Sequence, residues 1–340
     1  MKKSRPTSLF AVKAKSVQLH DAVVRYEDLN GDRLPLLAVP ANKDVSLPDW
    51  LAENREEVRR KVAEHGGVLF RGFPLESAED FHRTVAALGA DQLDYTERSS
   101  PRSRVSGKIY TSTDHPADQP INFHNELAYS STWPMEIFFF CHTQPTAGGE
   151  TPIADSRRVL QYLSEPTRAR FEEHGVMYMR YLGSGLGLHW SEVFQTDDRA
   201  EAETYCRENG MEFEWEGDCL RTRARRPAIQ THPGTGEKVW FNHGHFFNVH
   251  SMEPDVREQI LSTVDKDKIP FNTYFGDGTE ISADIVAEIN AAFEKARVEF
   301  PWQHGDLLFL DNMLTAHARN PYSGERKILV AMTTPNNRAA

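Results

Sequence analysis

Apolar residues along this chain follow two rhythms. In "SLPDWLAENREEVRRKVAEHGG", Leu51, Val58 and Val62 recur on one helical face, with Ser46 as N-cap and Asp49 three residues on. Gly66 and Gly67 end that helix, and "GVLFRGF" after it reads as a short buried strand. "SAEDFHRTVAALG" repeats the helical spacing from Ser77 through Phe81, Val85 and Leu88 to Gly89. From residue 105 onward the rhythm changes to short runs rich in β-branched and aromatic side chains: "EIFFFCH", "VMYMRYL", "EKVWFN", "DLLFLDN" and "RKILVAM". The turn signals "TAGGET", "HPGTGEK" and "NPYSGER" separate them. Helical spacing returns near residues 253–265 and 282–297, the second capped by Ser282 with Val286, Ile289 and Phe293 on one face. Many short strands with helices around them and no βαβ alternation predict a β-sandwich or jelly roll with helical buttresses. About the first 45 residues, weakly periodic with a turn at Asn30–Asp32, are expected to form an N-terminal extension. With no repeat or linker, the chain is expected to be one domain whose core spans about 100–335.

Charge narrows the function classes. The formal net charge is −11, with 39 Lys and Arg against 50 Asp and Glu, which argues against gripping a phosphate backbone. No run approaches the roughly 18 apolar residues of a membrane helix, and the basic N-terminus is too broken for a signal peptide. Cys141, Cys206 and Cys219 are scattered and odd in number, as expected of reduced thiols. The expectation is a cytoplasmic enzyme that handles a small molecule, without nucleic acid or membrane, its self-association left open.

Candidate chemistry centres on "INFHNELAYSSTWPMEIFFF". His124 and Glu126 lie two apart, so in an extended chain both point to one face while Asn125 points away. An imidazole and a carboxylate suit a divalent first-row ion, and a second histidine would complete a facial triad with open positions. "DLLFLDNMLTAHARNPYSGERKILVAM" offers His317 after a buried strand, then Arg326 opening another strand. "TAGGETPIADSR" places Thr151 just past a Gly-Gly turn. A guanidinium fork and a hydroxyl are what the far carboxylate of a metal-chelated dicarboxylate needs.

These segments, with "GGVLFRGFPL", "IYTSTDHPADQPINFHNE", "GEKVWFN" and "FGDGTEI", resemble the taurine dioxygenase (TauD/TfdA-type) family of non-haem iron, 2-oxoglutarate-dependent oxygenases. Within it the likeness is to the SyrP-like branch associated with peptide natural-product biosynthesis, over roughly residues 60–335. The resemblance implies a double-stranded β-helix, mainly β with flanking helices and cupin-like. It implies Fe(II) at His124, Glu126 and His317, and 2-oxoglutarate at Arg326 and Thr151, with O2 as the second cosubstrate. Here the carboxylate is Glu rather than the commoner Asp, and the interval from His317 to Arg326 is short, which leaves Arg319 as the fallback or as a substrate contact. The implied reaction is decarboxylation of 2-oxoglutarate coupled to hydroxylation of an aliphatic carbon. The substrate expected is an amino acid or amino-acid-derived intermediate, free or tethered to a carrier protein. Glu126 argues against halogenation, since related halogenases carry a small residue at that ligand.

"FNHGHFFNVH" reads first as packing and hydrogen-bonding histidines; its sharper reading sends Asn242 or His245 into the substrate pocket. The glycines of "LGSGLGLHW" read as a loop, because their spacing does not match a dinucleotide fingerprint. Arg221, Arg223, Arg225 and Arg226, like Arg98, Arg102 and Arg104, read as solvated faces paired with Glu212, Glu214 and Glu216, against a reading as docking patches for an acidic substrate or carrier. Two rivals to hydroxylation remain: desaturation or cyclisation at the same site, and a non-catalytic scaffold that has kept the fold.

Overall fold

The apolar runs become strands because both their faces are covered. A computed structural model of the chain describes residues 23–337 except positions 30, 92, 94–96, 98–103, 107, 108 and 112–114. The larger sheet has eight strands in the order Val24–Leu29, Asp32–Pro40, Gly67–Phe70, Leu307–Asp311, Thr132–Thr143, Lys327–Asn337, Ile109–Thr111 and Arg104–Ser106. Along Thr132–Thr143, Phe138 and Phe140 point outward while Ile137, Phe139 and Cys141 point inward, and Leu307–Asp311 and Lys327–Asn337 alternate in step.

The outward set packs under the helices Leu47–Glu53, Arg55–His65 and Ala78–Ala87, through Leu51, Val58, Val62, Phe81 and Val85. The inward set shares one apolar cluster with Phe123, Ile153, Ala154, Ala316 and Ala318 of a second sheet, ordered Arg297–Val298, Ile153–Asp155, Thr315–Arg319, Ile121–His124. These two facing sheets are the jelly roll expected from the pattern. A separate four-stranded sheet, Met211–Glu216, Cys219–Arg226, Val176–Leu182 and Phe271–Phe275, carries the arginine-rich strand. No helix among the described residues is long and apolar enough to cross a membrane.

Local details differ from expectation in three places. The first helix is two, broken at Asn54, whose side-chain amide donates to Trp50 O at 2.7 Å. Residues set aside as an N-terminal extension supply two strands of the larger sheet. Asp32–Pro40 runs parallel to Gly67–Phe70 through the helices between them, a βαβ unit where none was expected. Between residues 156 and 208 lie four helices that the apolar spacing did not signal: Ser156–Tyr162, Glu165–His174, Trp190–Phe194 and Arg199–Glu208.

One glycine ties the outer helices to the inner sheet. Gly66 ends Arg55–His65 in the left-handed region at φ 87°, and a Cβ there would lie 2.6 Å from Thr315 Oγ1. That hydroxyl donates to the Gly66 carbonyl at 2.9 Å, two residues before His317.

Candidate metal centre

His124 is the last residue of the strand Ile121–His124, and His317 is its Cα partner on Thr315–Arg319. Pairing across the sheet brings the two imidazoles to 4.3 Å between ring centroids. Glu126 follows in a turn rather than in the strand; the next residue, Leu127, takes a left-handed φ of 56° and is buried. Asn125 points away, as its position predicts, with its side-chain amide donating to Asn312 O at 2.7 Å and Ser156 Oγ at 3.2 Å. Ligand atoms of His124, Glu126 and His317 all lie within 4.8 Å of one another. Two imidazole nitrogens and one carboxylate oxygen gathered within that span fit a divalent first-row cation. The His124 ring is held in the tautomer this needs: Nδ1–H donates to Asn122 O at 2.9 Å, leaving the Nε2 lone pair.

The open side of the three donors faces a cavity of about 310 Å³, lined also by Thr151, Arg319, Arg326, His243 and the rings of Phe246, Phe247 and Phe271. Thr151 is buried; its hydroxyl accepts from Trp302 Nε1 at 3.1 Å and from Arg326 Nη2 at 3.4 Å. Arg326 also donates from Nε to Gly149 O at 2.8 Å, so the Gly-Gly turn and Thr151 together set its direction. Burial, with the like charge of Arg319, pushes the Arg326 guanidinium down to about 10, which still leaves it charged at neutral pH.

Arg319 shares the cavity but is engaged differently. Its Nη1 donates to His115 O at 3.0 Å and its Nη2 to Gln119 O at 2.7 Å and to Pro116 O, which pins residues 115–119 against the site. Burial lowers its pKa as well, and among the described residues no carboxylate forms an ion pair with it. Of the two arginines, Arg326 has the neighbours expected of a dicarboxylate anchor.

Asn242 and His245 do not reach the cavity. Asn242 bonds Ala228 O at 2.9 Å and the Gly244 amide at 2.7 Å, and His245 Nε2 lies 2.9 Å from Phe123 O. The residue between them, His243, does line the cavity, with Nε2 at 2.8 Å from Asn125 O. Burial pulls His243 well below the usual histidine range and His245 down to about 3, so both rings are neutral.

Asn312 escaped the sequence reading. Its side chain accepts from Glu126 N at 2.7 Å and donates to Glu126 O at 2.9 Å, clasping the ligand's backbone on both sides. Nothing in its local sequence marks this role, because its partner Glu126 lies 186 residues away.

The arginine-rich strand lies apart from the cavity. Arg221 pairs with Glu214 and Asp267, each at 2.9 Å, and Arg225 pairs with Glu212. Arg98 and Arg102 lie outside the described residues. Cys141 and Cys206 are buried free thiols pushed up to about 12 by burial, unsuited to nucleophilic or redox work.

Comparison with known proteins places the chain in a family. The profile of the "Taurine catabolism dioxygenase TauD, TfdA family" matches residues 30–333. The chain is 38% identical over 300 residues to the dapdiamide synthesis protein DdaC of Enterobacter agglomerans, covering 88% of this chain and 91% of that one. It is 36% identical over 280 residues to a clavaminate synthase-like protein of Arabidopsis thaliana, covering 79% and 82%. Among solved structures, PvcB of Pseudomonas aeruginosa superposes with a TM-score of 0.55 at 17% identity over 93% of each chain. AAD-2 in complex with Mn(II) and N-oxalylglycine gives a TM-score of 0.55 at 13% identity, over 93% of this chain and 99% of that one. At these identities the two structures speak to the fold.

Proposed function

Since this chain belongs to the TauD, TfdA dioxygenase family and is a non-haem iron, 2-oxoglutarate-dependent oxygenase, we propose that it hydroxylates an aliphatic carbon of an amino acid or an amino-acid-derived intermediate. The observation that carries this reading is the shared cavity, lined by the three donors, by the hydrogen-bonded pair of partly buried Arg326 and buried Thr151, and by the rings of Phe246, Phe247 and Phe271. His124, Glu126 and His317 would hold Fe(II), while Arg326 and Thr151 would take the far carboxylate of 2-oxoglutarate. When bound, iron and 2-oxoglutarate supply dioxygen activation coupled to decarboxylation.

The protein's part is placement. Phe246, Phe247 and Phe271 present an apolar wall that holds an aliphatic segment beside the donors and excludes water. Phe139 packs edge-on against the His317 ring at 4.9 Å and keeps it from turning. Arg319 offers the remaining positive charge to an anionic group on the substrate, as an amino acid carries. A biosynthetic role is supported by DdaC, named for dapdiamide synthesis.

The test is an anaerobic titration of apoprotein with Fe(II) and 2-oxoglutarate, followed by product masses from amino-acid candidates. A weak visible band that is lost in Glu126→Ala, with products heavier by one oxygen, is expected. Folded protein that gives no band would sink the ligand assignment. Products lighter by two hydrogens would replace hydroxylation by desaturation or cyclisation.

A further inference from the structure

The strand that ends in His124 is the outer member of its sheet; among the described residues Thr315–Arg319 is its only strand neighbour. An edge strand leaves alternate backbone groups without ladder partners, and such groups are normally left to water. Here two carbonyls that flank His124, that of Phe123 within the strand and that of Asn125 just past it, which also takes the Ala128 amide at 3.2 Å, are each met by an imidazole. His245 Nε2 lies 2.9 Å from Phe123 O, and His243 Nε2 lies 2.8 Å from Asn125 O. The two histidines are spaced by two residues, as are the two carbonyls. The segment therefore lies along the open edge like a strand whose ladder bonds come from side chains.

A carbonyl can only accept, so each ring carries its proton on Nε2 and presents Nδ1 as an acceptor. Both Nδ1 atoms are buried and have no hydrogen-bond partner. Two unsatisfied buried nitrogens are a poor way to build a core for stability alone. What they secure is the peptide on both sides of a metal-facing side chain. His243 also packs edge-on against His124, at 5.8 Å between ring centroids, and His245 packs on Phe293 at 4.7 Å, which fixes the rings that make these bonds.

We propose that His243 and His245 are positioning residues: a surrogate strand that holds the backbone around His124, and with it the directions of His124 and Glu126. The inference rests on the assignment of His124, Glu126 and His317 as metal ligands. It assigns the FNHGHFF segment to the metal site through backbone carbonyls, without placing either ring on the metal or on the substrate.

The test is Co(II) titration of the full-length apoprotein, followed by visible absorption, for wild type, His243→Leu, His245→Leu and His243→Gln. Urea unfolding of the same apoproteins runs in parallel. Loss of a group that orients a ligand ordinarily weakens metal affinity about 10- to 100-fold, and that loss, with a changed band shape, is expected of folded His243→Leu and His245→Leu. His243→Gln keeps an N–H donor and is expected to stay within about threefold of wild type. A purely structural role would lower the urea midpoint yet leave Co(II) affinity and spectrum of the folded protein unchanged, and that result overturns the proposal. Should the Leu variants not fold, His243→Gln against His243→Asn decides, because the shorter amide falls short of the carbonyl; equal affinities overturn it. Wild-type protein that binds no Co(II) refutes the ligand assignment itself, and the proposal with it, and is thereby told apart from the variant results.

Discussion

Arg326→Gln is the perturbation that reads the cosubstrate site most directly. The substitution leaves one amide donor on a shorter side chain and removes the charge and the fork. In the structure the guanidinium is aimed by Gly149 O at 2.8 Å and Thr151 Oγ1 at 3.4 Å, and it stands over the Tyr322 ring at 5.4 Å. A hydrogen bond to a charged group contributes about 1.5–3 kcal/mol. Stranding a buried carboxylate opposite a removed partner costs about 3–5 kcal/mol. The side chain is only partly buried, so the lower end applies, about 3 kcal/mol, or a rise of roughly 100-fold in the Kd for 2-oxoglutarate. Anaerobic titration of Fe(II)-loaded protein with 2-oxoglutarate measures it. Arg326→Lys should recover part of the loss, since it restores a point charge but not two parallel donors. A Kd for Arg326→Gln within about threefold of wild type, with a large rise in Arg319→Gln instead, would refute the assignment and exchange the two arginines' roles.

Three further outcomes are expected. Gly149→Ala places a Cβ 2.9 Å from Tyr322 Cβ and 3.0 Å from Arg326 Cδ at a φ of 72°, so it should displace Arg326 and weaken 2-oxoglutarate binding tenfold or more while the protein stays folded; the same titration checks it. Arg71→Ala strands the Asp306 carboxylate, which is 1% exposed and takes bonds from Arg71 at 2.9 and 2.7 Å, and should cost about 3–5 kcal/mol in urea unfolding. At Asp80, burial works to raise the pKa, but hydrogen bonds from Arg83, Ser77 and the amides of Glu76 and Ser77 prevail and hold it down to about 2, below the usual 3.8. A depressed carboxylate stabilises the fold above its usual pKa and loses that as pH falls, so Asp80→Asn should cost up to about 2 kcal/mol at pH 7 and about half as much at pH 3. Urea midpoints of variant and wild type across that range measure the difference; a gap that does not narrow on acidification refutes the linkage.

The four central strands of the larger sheet, Gly67–Phe70, Leu307–Asp311, Thr132–Thr143 and Lys327–Asn337, were legible because both faces are packed: "IFFF" sends Phe138 and Phe140 to the helices and Ile137 and Phe139 to the opposite sheet, so no polar position interrupts the run. The helix Ala283–Ala296 was legible from Val286, Ile289 and Phe293, which are all buried. Arg199–Glu208 was not, because Ala202 and Cys206 alone are buried in it, too few apolar positions for a period to show. Glu165–His174 buries only Thr167 and Phe171, with the same effect. At the site, His124 and Glu126 do share a side, but a turn followed by the left-handed Leu127 brings Glu126 there, where the spacing argument assumed an extended chain. In "FNHGHFF" the hydrogen-bonding reading holds for Asn242 and His245, while His243 lines the cavity; the segment is a turn, so no period in the sequence marks which side chain faces in. Asn312 and the carbonyls bound by His243 and His245 were out of reach, because those contacts join parts of the chain that only the fold brings together.

Consider finally where the strands come from in the order of synthesis. His124 and Glu126 leave the ribosome well before His317 and before Arg326, which opens the strand Lys327–Asn337 that must insert between Thr132–Thr143 and Ile109–Thr111. A nascent chain therefore offers one imidazole and one carboxylate, without the partner strand that orients them. Such long-range pairing forms slowly and late. Capture of a redox-active ion at these three donors would therefore wait until His317 has been made and its strand has paired with Ile121–His124.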